Sequence, residues 1–161
     1  MYRWVEHTSE LELELKAASE RELLSESMEA LRELLDPEPA GSASEPVDEP
    51  RPGAQPPPKL GAEAPVERGA ETPLERRGVR ATAPDRPALL AAWLEELLFL
   101  AESSGFIPLL VEELSFEDRR LTATVVGRLG DPRPFVKAVT YHRLEFEPAE
   151  RGYRGRVVFD V

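Results

Sequence analysis

Cysteine is absent from the 161 residues, which excludes disulfides, thiolate metal sites and thiol nucleophiles and agrees with a reducing compartment. Histidine is nearly absent too: His7 and His142 stand at opposite ends of the chain, and no H-E-x-x-H pair exists. Neither a glycine-rich phosphate loop nor a G-x-S-x-G elbow is present, so an enzyme built on a familiar motif is not expected. The segment MYRWVEHTSE lacks the basic-then-apolar pattern of a leader. The longest apolar run, ALLAAWLEELLFLA, is interrupted by two glutamates and is too short to span a bilayer. A soluble, cytoplasmic protein without a membrane partner is the expectation.

Positive charge is also scarce, with 20 Lys and Arg against 31 Asp and Glu and a formal net charge of -11. That balance works against a surface that must follow a phosphate backbone by releasing counterions. Strong direct nucleic-acid binding is therefore not expected, and any such role would run through a protein partner.

What is present is a 41% hydrophobic composition, enough for one core and a single domain over 1–161. Between Pro37 and about Arg77 the chain is dense in Pro, Ala, Gly and Glu, with almost no large apolar side chains. Such a stretch cannot bury enough surface to offset its ordering entropy, so 37–77 reads as a disordered insert, locally stiff at Pro56, Pro57 and Pro58. A proline-motif docking segment is the alternative reading.

The flanking pieces carry clear periods. Leu11, Leu13 and Leu15 alternate with Glu10, Glu12 and Glu14, the pattern of a strand with one buried face. Ser19 followed by Glu22 marks a helix start, and Leu23, Leu24, Met28, Leu31, Leu34 and Leu35 recur at helical spacing until Asp36-Pro37. A second helix starts after Asp85, with Pro87 in its first turn, and closes at Gly105. It is nearly all apolar and reads as the central core helix, with Trp4, Trp93 and Phe99 as core aromatics.

From Phe106 the period becomes two: FIPLLVEEL, RRLTATVVG, FVKAVTYHRLEFEP and YRGRVVFDV, separated by turn residues. These predict an antiparallel meander, joined by the strand at Glu10 to Lys16 and a weaker one at Gly78 to Ala83. The fold class is α+β, a two-layer sandwich with two helices on a largely antiparallel sheet.

Chemistry would have to come from acids near the chain ends. Asp160 lies on the opposite face of its strand from Val157, Phe159 and Val161, and Val161 brings a further carboxylate beside it. Oxygen ligands of this kind suit Ca²⁺ or Mg²⁺, while the plainer reading is a solvated charge.

VKAVTYHRLEF followed by a hairpin and RVVFDV closely resembles the C-terminal signature of archeases, and EHTSELELEL resembles their N-terminal aspartate-His-Thr-Ala-aspartate strand. APDRPALLAAWLEELLFL looks like the family's second helix, and Ser19 to Leu35 takes the place of its first. The resemblance covers the chain apart from the Pro-rich insert. It implies a small non-enzymatic activator of RtcB-type RNA ligases, which join 2′,3′-cyclic-phosphate or 3′-phosphate ends to 5′-hydroxyl ends in tRNA splicing and repair. Such an activator helps the ligase become guanylylated and turn over repeatedly. A chaperone or adaptor role toward another RNA-processing enzyme, such as a tRNA methyltransferase, is the alternative.

The resemblance also implies a metal site at Glu10, Asp160 and Val161. Glu10 and Glu6 stand where the family has aspartates, Ser9 where it has alanine and Glu12 where it usually has glycine. Each added methylene moves a carboxylate outward by more than about an ångström, which Ca²⁺ tolerates better than the more rigid Mg²⁺. Lys137, His142, His7 and Glu6 are candidates for contacts beside that site or to the partner. Otherwise Lys137 is a surface charge, His142 a partly buried hydrogen-bonded residue and His7 a strand-entry element.

Overall fold

The computed structural model describes residues 1–36 and 73–161. Its elements are β1 (Tyr2–His7), β2 (Glu10–Ala17), α1 (Glu20–Leu35), β3 (Leu74–Thr82), α2 (Arg86–Ser104), β4 (Phe106–Glu117), β5 (Arg120–Leu129), β6 (Ala138–Ala149) and β7 (Gly152–Asp160). The α+β class stands. Most of the predicted insert, 37–72, lies outside the described residues, but its last four residues, Leu74 to Arg77, already belong to β3.

Helix boundaries follow local chemistry. Ser19 caps α1, its side chain accepting from the Glu22 N–H, and Glu22 reaches back to accept from the Ala18 N–H at 3.1 Å. Asp85 caps α2 by accepting from the Ala88 N–H at 2.9 Å. Gly105 ends α2 at φ 70°, a left-handed conformation that glycine adopts without a Cβ penalty.

The strands form two antiparallel sheets, a four-stranded one ordered β1-β2-β7-β6 and a three-stranded one ordered β3-β5-β4. This corrects the expected single sheet and continuous meander, because β5 and β6 do not pair. Between them runs Gly130-Asp131-Pro132-Arg133-Pro134, whose two prolines lack the N–H a ladder needs. The chain crosses there and returns to the first sheet, where β7 pairs with β2. Among the described residues no strand of one sheet lies against a strand of the other; α1 touches β2 and β4, and α2 touches β6 and β3.

That bridging role explains why α2 is apolar on so many sides. Trp93, Leu90, Leu94 and Leu97 are fully buried, and the Trp93 indole N–H donates to the Leu24 carbonyl at 3.2 Å, joining the helices. Leu13, Val157 and Phe159 present the inner face of the four-stranded sheet to this core. Trp4 packs at the margin, its ring 5.8 Å from that of Phe159. Phe99 departs from the expectation of a core aromatic: it is 61% exposed on the outer side of α2.

Candidate functional site

The outer face of the four-stranded sheet is a lattice of charges set by register. At one end His7 is opposite Glu10 and Glu10 is opposite Asp160, with Ala138 next in the row. Directly opposed residues have Cβ atoms about 4.5–5.5 Å apart on one face, so the Glu10 and Asp160 carboxylates are neighbours. The β1–β2 turn is two residues long, and Ser9 sits at φ 61°, a left-handed conformation costing a non-glycine residue about 1–2 kcal/mol. The Ser9 carbonyl accepts from the Val161 N–H at 3.1 Å, and the Asp160 carbonyl accepts from the Lys137 N–H at 2.8 Å. Four chain segments thus converge on the end of β7.

The sequence-derived candidates divide accordingly. Glu10, Asp160 and Val161 come together, His7 joins their row, and Lys137 is tied to them through its backbone. Glu6 is paired with Leu11, which places it on the other face of the sheet from Glu10. His142 is exposed, in contrast to its reading as a partly buried residue. The reason is a bulge: β6 and β7 pair at Thr140↔Val158 and again at Glu145↔Arg156, so Tyr141 to Leu144 stand opposite a single residue. Simple alternation along β6 fails there, and Arg143 takes φ 57°. The Tyr141 hydroxyl donates to the Glu95 carboxylate of α2 at 3.0 Å. Partial burial, then that bond and that charge, raise the phenol above its ordinary value of 10.

Alternation along β2 puts Glu10, Glu12 and Glu14 on one face, the one away from the buried leucines, but that face is not evenly exposed. Glu12 is only 6% exposed. Its carboxylate lies 3.3 Å from Arg156 Nε, 3.6 Å from Arg143 Nη1 and 3.9 Å from His7 Nε2. Arg156 also reaches Glu14 and Glu145 at 3.7 and 3.4 Å. The sequence reading missed Arg143 and Arg156; Arg156 could have been found, since it alternates onto the face of Asp160.

The first row can attract a cation. Its carboxylates face each other across strands, a like-charge arrangement that is unfavourable when uncompensated. Among the described residues the ion pairs within 4 Å include neither Glu10 nor Asp160, whereas Glu12 and Glu14 are both paired. Carboxylates, the neighbouring carbonyls and water are the donors Ca²⁺ takes. No group of three or more His, Asp or Glu side chains converges as a metal cage among the described residues, so water and backbone would complete the shell. Glu10 and Asp160 would supply two of the donors that such an ion needs.

The described helices contain none long and apolar enough to cross a membrane. Comparison with known proteins agrees with the resemblance seen in the sequence. Residues 63–161 match the model of the Archease protein family (MTH1598/TM1083). The protein archease of Methanosarcina acetivorans is 35% identical over 94 residues, spanning 53% of this chain and 64% of that protein. That of Methanosarcina mazei is 38% identical over 94 residues, with the same shares. The chain thus covers slightly less than two thirds of these relatives. In structure it is similar to protein 1598 of Methanobacterium thermoautotrophicum, with TM-score 0.60, 18% identity, and 99% of this chain and 98% of that one covered. It is also similar to the Thermotoga maritima archease, described as a possible chaperone, with TM-score 0.58, 19% identity, and 100% and 98% covered. These two likenesses support the α+β fold, and with the family match over more than half of its length the chain belongs to the archease family.

Proposed function

We propose that this chain is a non-enzymatic activator of an RtcB-type RNA ligase, acting in the cytoplasm in tRNA splicing or RNA repair. The observation that carries the reading is the Glu10–Asp160 pair, two adjacent carboxylates that no described Lys, Arg or His pairs within 4 Å, at an end of the sheet where four segments meet. In this reading Glu10, Asp160 and Val161 hold a divalent ion, Ca²⁺ in preference to Mg²⁺, with His7 and Lys137 beside it. Longer glutamate in place of aspartate suits the larger, less rigid Ca²⁺ shell. His142, exposed on the β6 bulge, and Glu6 on the other face of β1 are contacts to the partner. The helper supplies binding energy that shifts the ligase toward its guanylylation-competent state, and no nucleophile of its own.

Two measurements test this. Mixing the protein with the ligase of the same organism should accelerate enzyme–GMP formation and permit multiple turnover; no acceleration by folded protein rejects the activator role. Calorimetric titration should show Ca²⁺ binding that Asp160→Asn removes. At a free Ca²⁺ concentration 100 times Kd the folded state should gain about 2.7 kcal/mol. An unchanged melting temperature at millimolar Ca²⁺ rejects the metal site.

A second reading is a chaperone or adaptor for another RNA-processing enzyme, such as a tRNA methyltransferase. It is favoured by the description of the Thermotoga maritima relative as a possible chaperone. Co-purification with a methyltransferase and no ligase would select it.

A further inference from the structure

We propose that the outer side of α2 and the adjoining β6 bulge form a docking surface for a basic, amphipathic segment of the partner protein, with Phe99 and Tyr141 as its apolar anchors. The inference rests on the activator reading, in which the partner is the ligase, and adds where and by what chemistry it is held.

Phe99 is 61% exposed and Tyr141 56%. A single exposed apolar residue is ordinary, but two aromatics in one place are less so. Glu95 brings them together: it accepts the Tyr141 hydroxyl and lies one helical turn before Phe99 on the same face. Aromatic residues of this kind are over-represented among the side chains that dominate binding energy at protein interfaces.

The surroundings specify the partner's charge. Phe99 has Glu95 and Glu96 at i−4 and i−3 and Glu102 at i+3, so acids frame it along the helix. Elsewhere acids are commonly paired, as in Arg3–Glu14, Arg76–Glu112, Arg86–Glu20 and Arg154–Glu147. Among the described residues the ion pairs within 4 Å include none of these three glutamates. Glu102 stands near the C-terminal end of α2, where the helix dipole disfavours an anion by about 0.3–1 kcal/mol, and no basic residue offsets it in the last turn. α1, by contrast, ends with Arg32 in its last turn.

An aromatic centre inside an acidic frame that the described residues leave without an ion pair complements a segment carrying Lys or Arg around an apolar side chain. It repels RNA, and it repels a second copy of a chain of net charge -11. β6 is also an edge strand, and Tyr141 is three residues from Ala138, which is opposite Asp160. A segment docked here lies next to the proposed metal end of the sheet.

The test is the affinity of the full chain for the ligase of the same organism, measured by calorimetry at two salt concentrations. Phe99→Ala should weaken binding by about 30-fold, the loss expected of an interface hot spot. Glu96→Lys should weaken it and flatten its salt dependence. Leu110→Ala, 49% exposed on the other sheet, should leave it unchanged. All three positions are exposed, and melting curves identify any variant that has lost its fold. Binding by wild type that survives both Phe99→Ala and Glu96→Lys within threefold overturns this surface and leaves the activator reading intact. No binding by wild type removes both. Self-association or RNA binding lost in Phe99→Ala would assign the patch to another occupant and overturn the proposal.

Discussion

Replacing Glu12 with glutamine should destabilise the fold by about 2 kcal/mol, although the residue lies in a run of alternating glutamates that looks like a solvated face. The carboxylate is 6% exposed and has Arg156, Arg143 and His7 at 3.3, 3.6 and 3.9 Å. Gross attraction to a charge at 3.3 Å is about 5 kcal/mol at an effective dielectric constant of 20. Much of that is offset by desolvation of the carboxylate, and the arginines are screened, Arg156 being 32% and Arg143 55% exposed. Arg156 also keeps Glu14 and Glu145 after the substitution. An exposed pair contributes about 0.2–1 kcal/mol and breaking a fully buried one costs about 3–5, so a buried carboxylate held by partly exposed arginines falls near 2. The loss is sharpened because Arg156 Nε is buried and has no hydrogen-bond partner among the described residues, which leaves it dependent on the charge of Glu12. Urea unfolding read by circular dichroism measures the difference directly, and the melting temperature should fall by roughly 6–10 °C. Glu14→Gln, at a side chain 30% exposed, is the control and should cost under about 1 kcal/mol. Equal costs for the two substitutions, or a Glu12→Gln effect under about 0.5 kcal/mol, would refute the hub.

Three further outcomes follow from other contacts. Gly127→Ala would place a Cβ 2.3 Å from the Ile107 carbonyl oxygen and 2.5 Å from Phe106 Cζ, so denaturant unfolding should show a loss of about 2–3 kcal/mol or no folded protein. Asp85→Ala removes the acceptor for the Ala88 N–H and should cost about 1 kcal/mol by the same measurement, with Asp85→Asn restoring most of it. Burial and the Glu95 carboxylate both disfavour the Tyr141 phenolate, so the raised folded value makes its contribution to stability intact below pH 10 and lost as pH rises through that value. In an absorbance titration of tyrosinate, Glu95→Gln should shift the Tyr141 component downward; an unmoved curve would rule out that hydrogen bond.

The parts of this protein that the sequence alone determined are those whose causes are local. Ser19 with Glu22, and Asp85 with Pro87 and Gly105, mark helix ends because capping satisfies backbone groups within one turn. The change to a period of two after Phe106 announces strands, since side chains alternate across any sheet. Asp160 was a candidate from its place near the chain end and Glu10 only through family resemblance; that they are neighbours is a consequence of β2 pairing with β7, residues far apart in the chain.

Tertiary structure decided everything that depends on which element lies beside which. Alternation identifies a strand without naming its partner, so the break between β5 and β6 and the division into two sheets were invisible to it. It also assigns a face without saying whether that face is covered. Glu12 became a buried hub because the β6 bulge brings Arg143 over it from a strand not adjacent to β2. Phe99 became exposed although it lies in a nearly all-apolar helix, because α2 bridges two sheets and leaves one side uncovered. Hydrophobicity drives a side chain toward burial only where the fold supplies a neighbour, and at Phe99 the described residues supply none.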